Sequence, residues 1–360
     1  SDRQYRNPEK MPDNHQKVCI IGAGPGGMSA ANYLALKGYT VSVIEALPMA
    51  GGMTMVGIPR YRLPREVIDR EVAMIEDLGV EFVYNTRFGQ DVSLETLKKE
   101  GFTAFLFAIG AHKAYKLNIP GENDFPQVID AIDLLKNVAL GHRHAPGKKA
   151  VIIGGGNVAI DAARTCLRLG CKEVTIAYRR TRREMPADEE EVEQAEEEGV
   201  HLALLTIPVE IKGNDNRIQS LHCLQAKLVK KKGSNRMYPT PLEGSDHNIE
   251  ADVIIPAIGQ YVDKSCMEKL DKIEWTRRGT IDVNMANMTT SRPDIFAVGD
   301  AVTGPATVIE AIGGGKRAAN AIDRYLSGLP QPKMPPVPVR RASTDFIEVP
   351  AATKMTLKRP

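Results

Sequence analysis

An α/β fold is predicted, with two three-layer domains on parallel sheets and one domain inserted in the other. Three observations carry the prediction. A glycine-rich turn, Ile21-Gly22-Ala23-Gly24-Pro25-Gly26-Gly27, follows a short apolar run, and Ile153-Gly154-Gly155-Gly156-Asn157-Val158-Ala159 follows another. The two superpose under one shift: adding 132 takes Gly22 to Gly154, Gly24 to Gly156, Gly27 to Ala159 and Gly38 to Gly170. Late in the chain a third apolar run, Asp294-Ile295-Phe296-Ala297-Val298, ends in Gly299-Asp300, with a helix start near Thr307.

Each turn has the parts of a Rossmann-like dinucleotide site. A buried strand (Val18 to Ile21; Ala150 to Ile153) runs into a glycine turn. The next glycine lets a pyrophosphate approach the backbone, and the third small residue lets the following helix pack close to the strand. That helix aims its free N–H groups and positive dipole end at the phosphates. The helices run from Met28 to Lys37 and from Val158 to Leu169, and each stops at a glycine suited to a left-handed position. A second strand follows each, Thr40 to Ile44 and Val174 to Ala177. A ligand-free glycine turn would not require strand, turn, helix and strand twice over.

The copies differ at the end of the second strand. The first ends on Glu45. An acid about 20 residues past the glycines bonds ribose hydroxyls, so this site suits FAD or NAD. In the second copy Tyr178 falls there, followed by Arg179, Arg180, Arg182 and Arg183. Guanidinium forks grip a 2′-phosphate that a carboxylate would repel, so this site reads as NADP(H). The alternative is a solvated arginine cluster paired with the acidic run Asp188 to Glu198, itself a helix burying Val192 and Ala195.

The third motif resembles the second FAD signature of two-dinucleotide flavoproteins. Further segments narrow the likeness: Gly51-Gly52-Met53, Gly57 to Pro64, Gly154 to Asp161, Tyr178 through Pro186, and Ala257-Ile258-Gly259-Gln260. Together they resemble the small-subunit family of NADPH-dependent glutamate synthase. That branch includes the large subunit of NADH-dependent ferredoxin:NADP oxidoreductase, and the likeness covers roughly residues 17 to 330. The resemblance implies an FAD site at Gly22, Gly24, Pro25, Gly26, Gly27, Glu45, Gly52, Met53, Arg62, Phe88, Ala108, Gly110, Gly299, Asp300, Thr307, Val308 and Ile309. It implies an NADP site at Gly154, Gly155, Gly156, Asn157, Val158, Arg179, Arg180, Glu191 and Gly259. It also implies that the second domain presents the nicotinamide to the flavin. Positioning then supplies the catalysis, and no side chain is named as catalytic.

The expected organisation is an N-terminal arm (1–16), an FAD domain in two parts (17–125 and 262–330), an inserted NADP domain (126–261) and an extended proline-rich tail (331–360). The crossings are expected near Gly121 and Gly259-Gln260. The tail is either disordered or a strap on this chain or a partner. Lys230 to Asn235 reads as a hairpin tip or as a docking patch for an acidic ferredoxin.

At 360 residues, two domains are expected. A formal charge of +2 argues neither for a nucleic-acid partner nor for a strongly charged membrane surface, and no nucleic acid is expected. No apolar stretch reaches the ~18 residues of a membrane-spanning helix. The five cysteines, Cys19, Cys166, Cys171, Cys223 and Cys266, form no C-x-x-C pair. They fit a reducing cytoplasm and read as packing groups, with no metal, iron–sulfur cluster or redox dithiol expected among them. The N-terminal cluster module of the family has no counterpart in the sixteen arm residues. The function expected is therefore an FAD-containing NADPH-oxidising subunit that passes electrons to an iron–sulfur subunit or ferredoxin in a hetero-oligomer. A self-sufficient NADPH–ferredoxin reductase and a non-catalytic flavin scaffold are the alternatives.

Overall fold

The computed structural model describes residues 8–230, 237–268 and 270–331. Among them, two parallel sheets carry the fold. The first has strands in the order Ile295–Ala297, Phe102–Phe107, Lys17–Ile21, Thr40–Ile44 and Glu81–Val83. The second runs Val253–Pro256, Lys149–Ile153, Glu173–Tyr178 and His201–Leu204. The first sheet's strands lie at both ends of the chain and bracket those of the second.

Continuous apolar runs suit these strands because both faces are covered. In the first sheet Val18, Ile20, Val41, Val43 and Leu106 enter one core, while Cys19, Ile21, Phe105 and Phe107 enter the opposite one. Helices Pro25–Leu36 and Val308–Leu326 cover the first of these faces. They approach so closely that a methyl on Gly315 would stand 2.3 Å from the Gly26 carbonyl oxygen.

The second sheet is covered unequally. Ala150, Ile152, Val174 and Ile176 face helices Ala131–Ala139, Asn157–Leu169 and Glu189–Glu197, the last burying Val192 and Ala195 as expected. Val151, Ile153, Ala177 and Ile254 face Ile211, Ile218, Leu221 and Cys223. These four belong to an antiparallel sheet of Thr206–Asn214, Arg217–Lys230 and Met237–Glu250, so the third layer here is β rather than helical. The hairpin tip expected at 230–235 falls almost wholly outside the described residues; the strands flanking it pair, with Lys230 opposite Met237. The proline-rich tail, from 332 onward, also lies outside them.

The chain crosses between the halves through a two-stranded ribbon. Lys113 and Ala114 pair with Tyr261 and Gln260, and the rings of Tyr115 and Tyr261 lie 5.1 Å apart. The first crossing thus lies upstream of Gly121, which instead packs on the antiparallel sheet, where a methyl would stand 2.2 Å from the Ile211 oxygen. Arm residues 8–16 run along the first half, with the N–H groups of Met11 and Asn14 donating to the Leu36 and Gly38 carbonyls.

Candidate dinucleotide sites

Both glycine turns stand at the carboxyl ends of their parallel strands, where open α/β sheets bind ligands. In the first, the Gly22 N–H donates to the Ile44 oxygen and the Ala108 N–H to the Ile21 oxygen, drawing three strand ends together. Gly22 has φ +104°, and a methyl there would stand 2.4 Å from the Ala108 oxygen. A methyl on Gly27 would lie 2.0 Å from the Gly22 oxygen, so the absent side chain is what admits the helix. Gly24 has open space around it, with no atom within 4 Å of such a methyl. Close packing at two glycines and open space at the middle one is the arrangement a pyrophosphate cradle requires.

Glu45 ends its strand buried, at 7% exposure. Its carboxylate accepts from the backbone N–H of Ala23 and of Leu47, each at 2.8 Å. Burial raises its pKa against the pull of these bonds. Gly52 and Met53 arrive at the same place: the Gly51 N–H donates to the Ala23 oxygen, and a methyl on Gly52 would come within 2.9 Å of the Gly24 Cα. On the other side, the Val298 N–H donates to the Phe107 oxygen and brings Gly299 and Asp300 alongside. Asp300 Oδ1 accepts from the Ala306 N–H, and burial raises its pKa. Thr307 caps the long helix in a reciprocal box with Glu310, and Val308 and Ile309 are exposed at that helix start, Ile309 at 76%.

The second turn repeats the geometry with other chemistry. A methyl on Gly154 would stand 2.3 Å from the Ala257 oxygen, whereas one on Gly156 would meet only Pro186, at 3.8 Å. The Tyr178 ring lies over Gly155, and its hydroxyl donates to the Glu184 oxygen at 2.6 Å. The segment after it folds back on the loop. The Ala187 N–H donates to the Gly155 oxygen, and the Asp188 N–H to Asn157 Oδ1. Arg179 is exposed; Arg180 is buried at 8% exposure, with no hydrogen-bond partner for its Nε. Of the arginine cluster, Arg182 turns to the acidic helix and pairs with Glu196. A buried guanidinium with an idle donor, two residues past the ring that covers Gly155, suits a phosphate. The residues present fit FAD at the first site and NADP(H) at the second.

Four of the expected residues make other contacts. Phe88 lies in the core edge-on to Phe107, ring centroids 5.1 Å apart. Gly259 is on the crossing ribbon, exposed beside Tyr115. Arg62 and Glu191, expected at different cofactors, pair with each other at 3.0 Å. Asp161, Arg164 and Tyr61 join them; none of the three is among the expected site residues. The signal available was an acid and a base, Asp161 and Arg164, three apart on one helix.

The cysteines are all free, and Cys166 and Cys171 sit together in the second core. Among the described residues no group of side chains could hold a metal ion, and no helix is long and apolar enough to cross a membrane.

Comparison with known proteins agrees with this architecture. The profile of the Pyridine nucleotide-disulphide oxidoreductase family matches residues 16–315. The NADP(+)-dependent formate dehydrogenase subunit beta of Moorella thermoacetica is 42% identical over 313 residues, 86% of this chain and 44% of the relative. The NADPH-Fe(3+) oxidoreductase subunit beta of Geobacter sulfurreducens is 39% identical over 343 residues, 88% of this chain and 51% of the relative. This chain therefore spans about half the length of these two relatives. The NADPH glutamate synthase small chain of Azospirillum brasilense is 34% identical over 322 residues, 86% of this chain and 66% of the relative. In fold it is similar to FprA from Mycobacterium tuberculosis in complex with NADPH, with a TM-score of 0.71 at 20% identity over 88% of this chain and 85% of that one. The paired glycine turns, the two parallel sheets and these relatives lead to one assignment: the chain is an oxidoreductase that belongs to the pyridine nucleotide-disulphide oxidoreductase family.

Proposed function

We propose that this chain is an FAD-containing, NADPH-oxidising electron-transfer subunit. It passes a hydride between NADP(H) and FAD, and electrons onward to an iron–sulfur subunit or ferredoxin. One observation carries the reading. Two loops of one geometry end in opposite chemistry, a buried carboxylate at Glu45 and a buried, partly idle guanidinium at Arg180.

In this reading residues 17–113 and 262–330 form the FAD half, and the stretch between them the NADP half. Gly24, Gly26 and Gly27 would take the FAD pyrophosphate, Glu45 its ribose, and Asp300 with the Thr307 helix start the flavin end. Gly155, Gly156 and Asn157 would take the NADP pyrophosphate, and Arg180 with Arg179 its 2′-phosphate. The bound flavin supplies the conversion between two-electron and one-electron chemistry. The chain's own residues bind and orient: no acid or base is needed at the hydride, so placement supplies the rate. The relatives named as beta subunits and small chains motivate a partner that receives the electrons.

Anaerobic mixing of the flavin-loaded chain with NADPH or NADH tests the reading. Bleaching of the flavin band is expected with NADPH, and much more slowly with NADH. No bleaching would leave the scaffold reading in its place. The chain alone should reduce small dyes but turn over ferredoxin poorly until an iron–sulfur partner is added. Fast ferredoxin reduction without one would favour the self-sufficient reductase.

A further inference from the structure

The two halves meet in a cluster of charges that cofactor binding does not explain. Arg62 comes from the 57–64 turn of the first half. Its Nη1 lies 3.0 and 2.8 Å from the two Asp161 oxygens, and its Nε 3.0 Å from Glu191. Asp161 is in the helix that opens from the second glycine turn, and Glu191 in the acidic helix beside it. Glu191 also accepts from Arg164, which pairs with Glu198 at 2.7 Å; Glu198 in turn pairs with Arg168. The ring of Tyr61, next to Arg62, lies under Arg164 at 4.7 Å and Arg168 at 3.9 Å. A groove of about 670 Å³ runs along these residues.

The charges are engaged with one another: Arg62 pairs with Asp161 and Glu191, Arg164 with Glu191 and Glu198, and Arg168 with Glu198. What the cluster does is mechanical. The Asp161 side chain is 4% exposed, and that of Arg62 is 25% exposed, so the pair is held out of water by both halves. Removing one member of such a pair leaves the other charge buried and uncompensated. Asp161 is only a few residues into the helix whose first turn cradles the second nucleotide.

We propose that Arg62 is a positioning residue for the transfer between the two cofactors. Through Asp161 and Glu191 it fixes where the second glycine turn stands relative to the first sheet. The proposal rests on the FAD and NADP(H) reading of the two turns, but its main test needs neither cofactor.

The groups facing Asp161 are Arg62 and Tyr61 from the turn, Arg164 and Arg168 from its own helix, and Glu191 and Glu198 from the acidic helix and its end. Burial pushes the Asp161 carboxyl up to about 6, against the opposing pull of Arg62. Opening the turn returns this carboxyl to water, so local opening and global unfolding respond to pH with the same sign. The unfolded carboxyl holds its proton only below about pH 3.9. This group's contribution is therefore largest below that value and is lost as pH rises through about 6.

The test is hydrogen–deuterium exchange on the ligand-free full chain, corrected for intrinsic pH dependence. Arg62→Gln should speed exchange several-fold in the 157–169 helix start, and Asp161→Asn should do so in the 57–64 turn. The double variant should be no worse than the worse single one. Additive effects, or faster exchange confined to the mutated element, would overturn the proposal. Should Asp161→Asn fail to fold, Arg62→Gln decides alone, and faster exchange confined to the 57–64 turn rejects the idea. Arg62→Lys keeps the charge but loses the fork and should fall between parent and Gln. In flavin-loaded protein Asp161→Asn should slow bleaching by NADPH while leaving NADPH affinity within about twofold. Failure of the parent to bleach at all would reject the FAD and NADP(H) reading and leave the exchange result standing.

Discussion

The two glycine turns are the same device with different tolerances. In the first, φ at Gly22 is +104°, and its carbonyl points where a side chain on Gly27 would go. In the second, φ at Gly154 is +152°, and the equivalent residue is Ala159, fully buried. The turn in the second copy is opened enough to admit one methyl. The strand ends differ more. Glu45 folds inward onto the backbone of its own loop, whereas Tyr178 covers its loop and leaves the charge to Arg180. Backbone shape makes both turns cradles, and the strand end decides which ribose each accepts.

The sharpest way to break this comparison is to exchange the third small residue. Gly27→Ala puts a methyl 2.0 Å from a backbone oxygen that cannot yield. Overpacking of this kind costs ~1–3 kcal/mol, and here it should also abolish flavin retention. Ala159→Gly should cost only about 1 kcal/mol in thermal unfolding. Equal losses would mean that the two turns do not differ as described.

Glu45→Gln comes next. At 7% exposure and with two backbone N–H bonds, this position has no room for a larger, cationic side chain. The amide keeps the shape and loses the charge. Each charged hydrogen bond is worth roughly 1.5–3 kcal/mol, so flavin should wash out on dialysis. Full yellow colour afterwards would remove Glu45 from the site.

Arg180→Ala should raise the Michaelis constant for NADPH by roughly ten- to a hundredfold, from the loss of charge-assisted bonds, and leave that for NADH nearly unchanged. Arg179→Ala should do the same more weakly, because that side chain is exposed. An unchanged NADPH-to-NADH ratio in both would end the phosphate-clamp reading. The smallest effect is expected for Arg182→Ala. It breaks an exposed pair with Glu196, worth at most about 1 kcal/mol, and should leave cofactor preference untouched.

What could be read from sequence was what is local. The strand Thr40–Ile44 matches its expected limits, and the first helix differs mainly at its start, Pro25 rather than Met28. Gly38 and Gly170 follow their helices with φ of +84° and +102°. All of these are set by residues a few positions apart. The pairing of Arg62 with Asp161 spans 99 residues, and no periodicity encodes it. The antiparallel layer was missed for a related reason. Arg217–Lys230 interrupts its alternation with register shifts, and Met237–Glu250 is largely polar and exposed. Gly121 was read as a crossing because a glycine permits a bend; its positive φ serves a close approach to Ile211 instead.

The ribbon of Lys113–Ala114 with Gln260–Tyr261 makes the inserted half a removable part. Its point of departure and point of return are hydrogen-bonded neighbours, so the host fold needs only a short loop to close over the gap. Joining Lys113 to Tyr261 through a few flexible residues costs little in loop entropy, since that cost grows slowly with length. The shortened chain should still fold its first sheet and keep its flavin, bound but unreachable by NADPH. In engineering terms the ribbon is a socket, and another pyridine-nucleotide half with adjacent ends could be plugged into it.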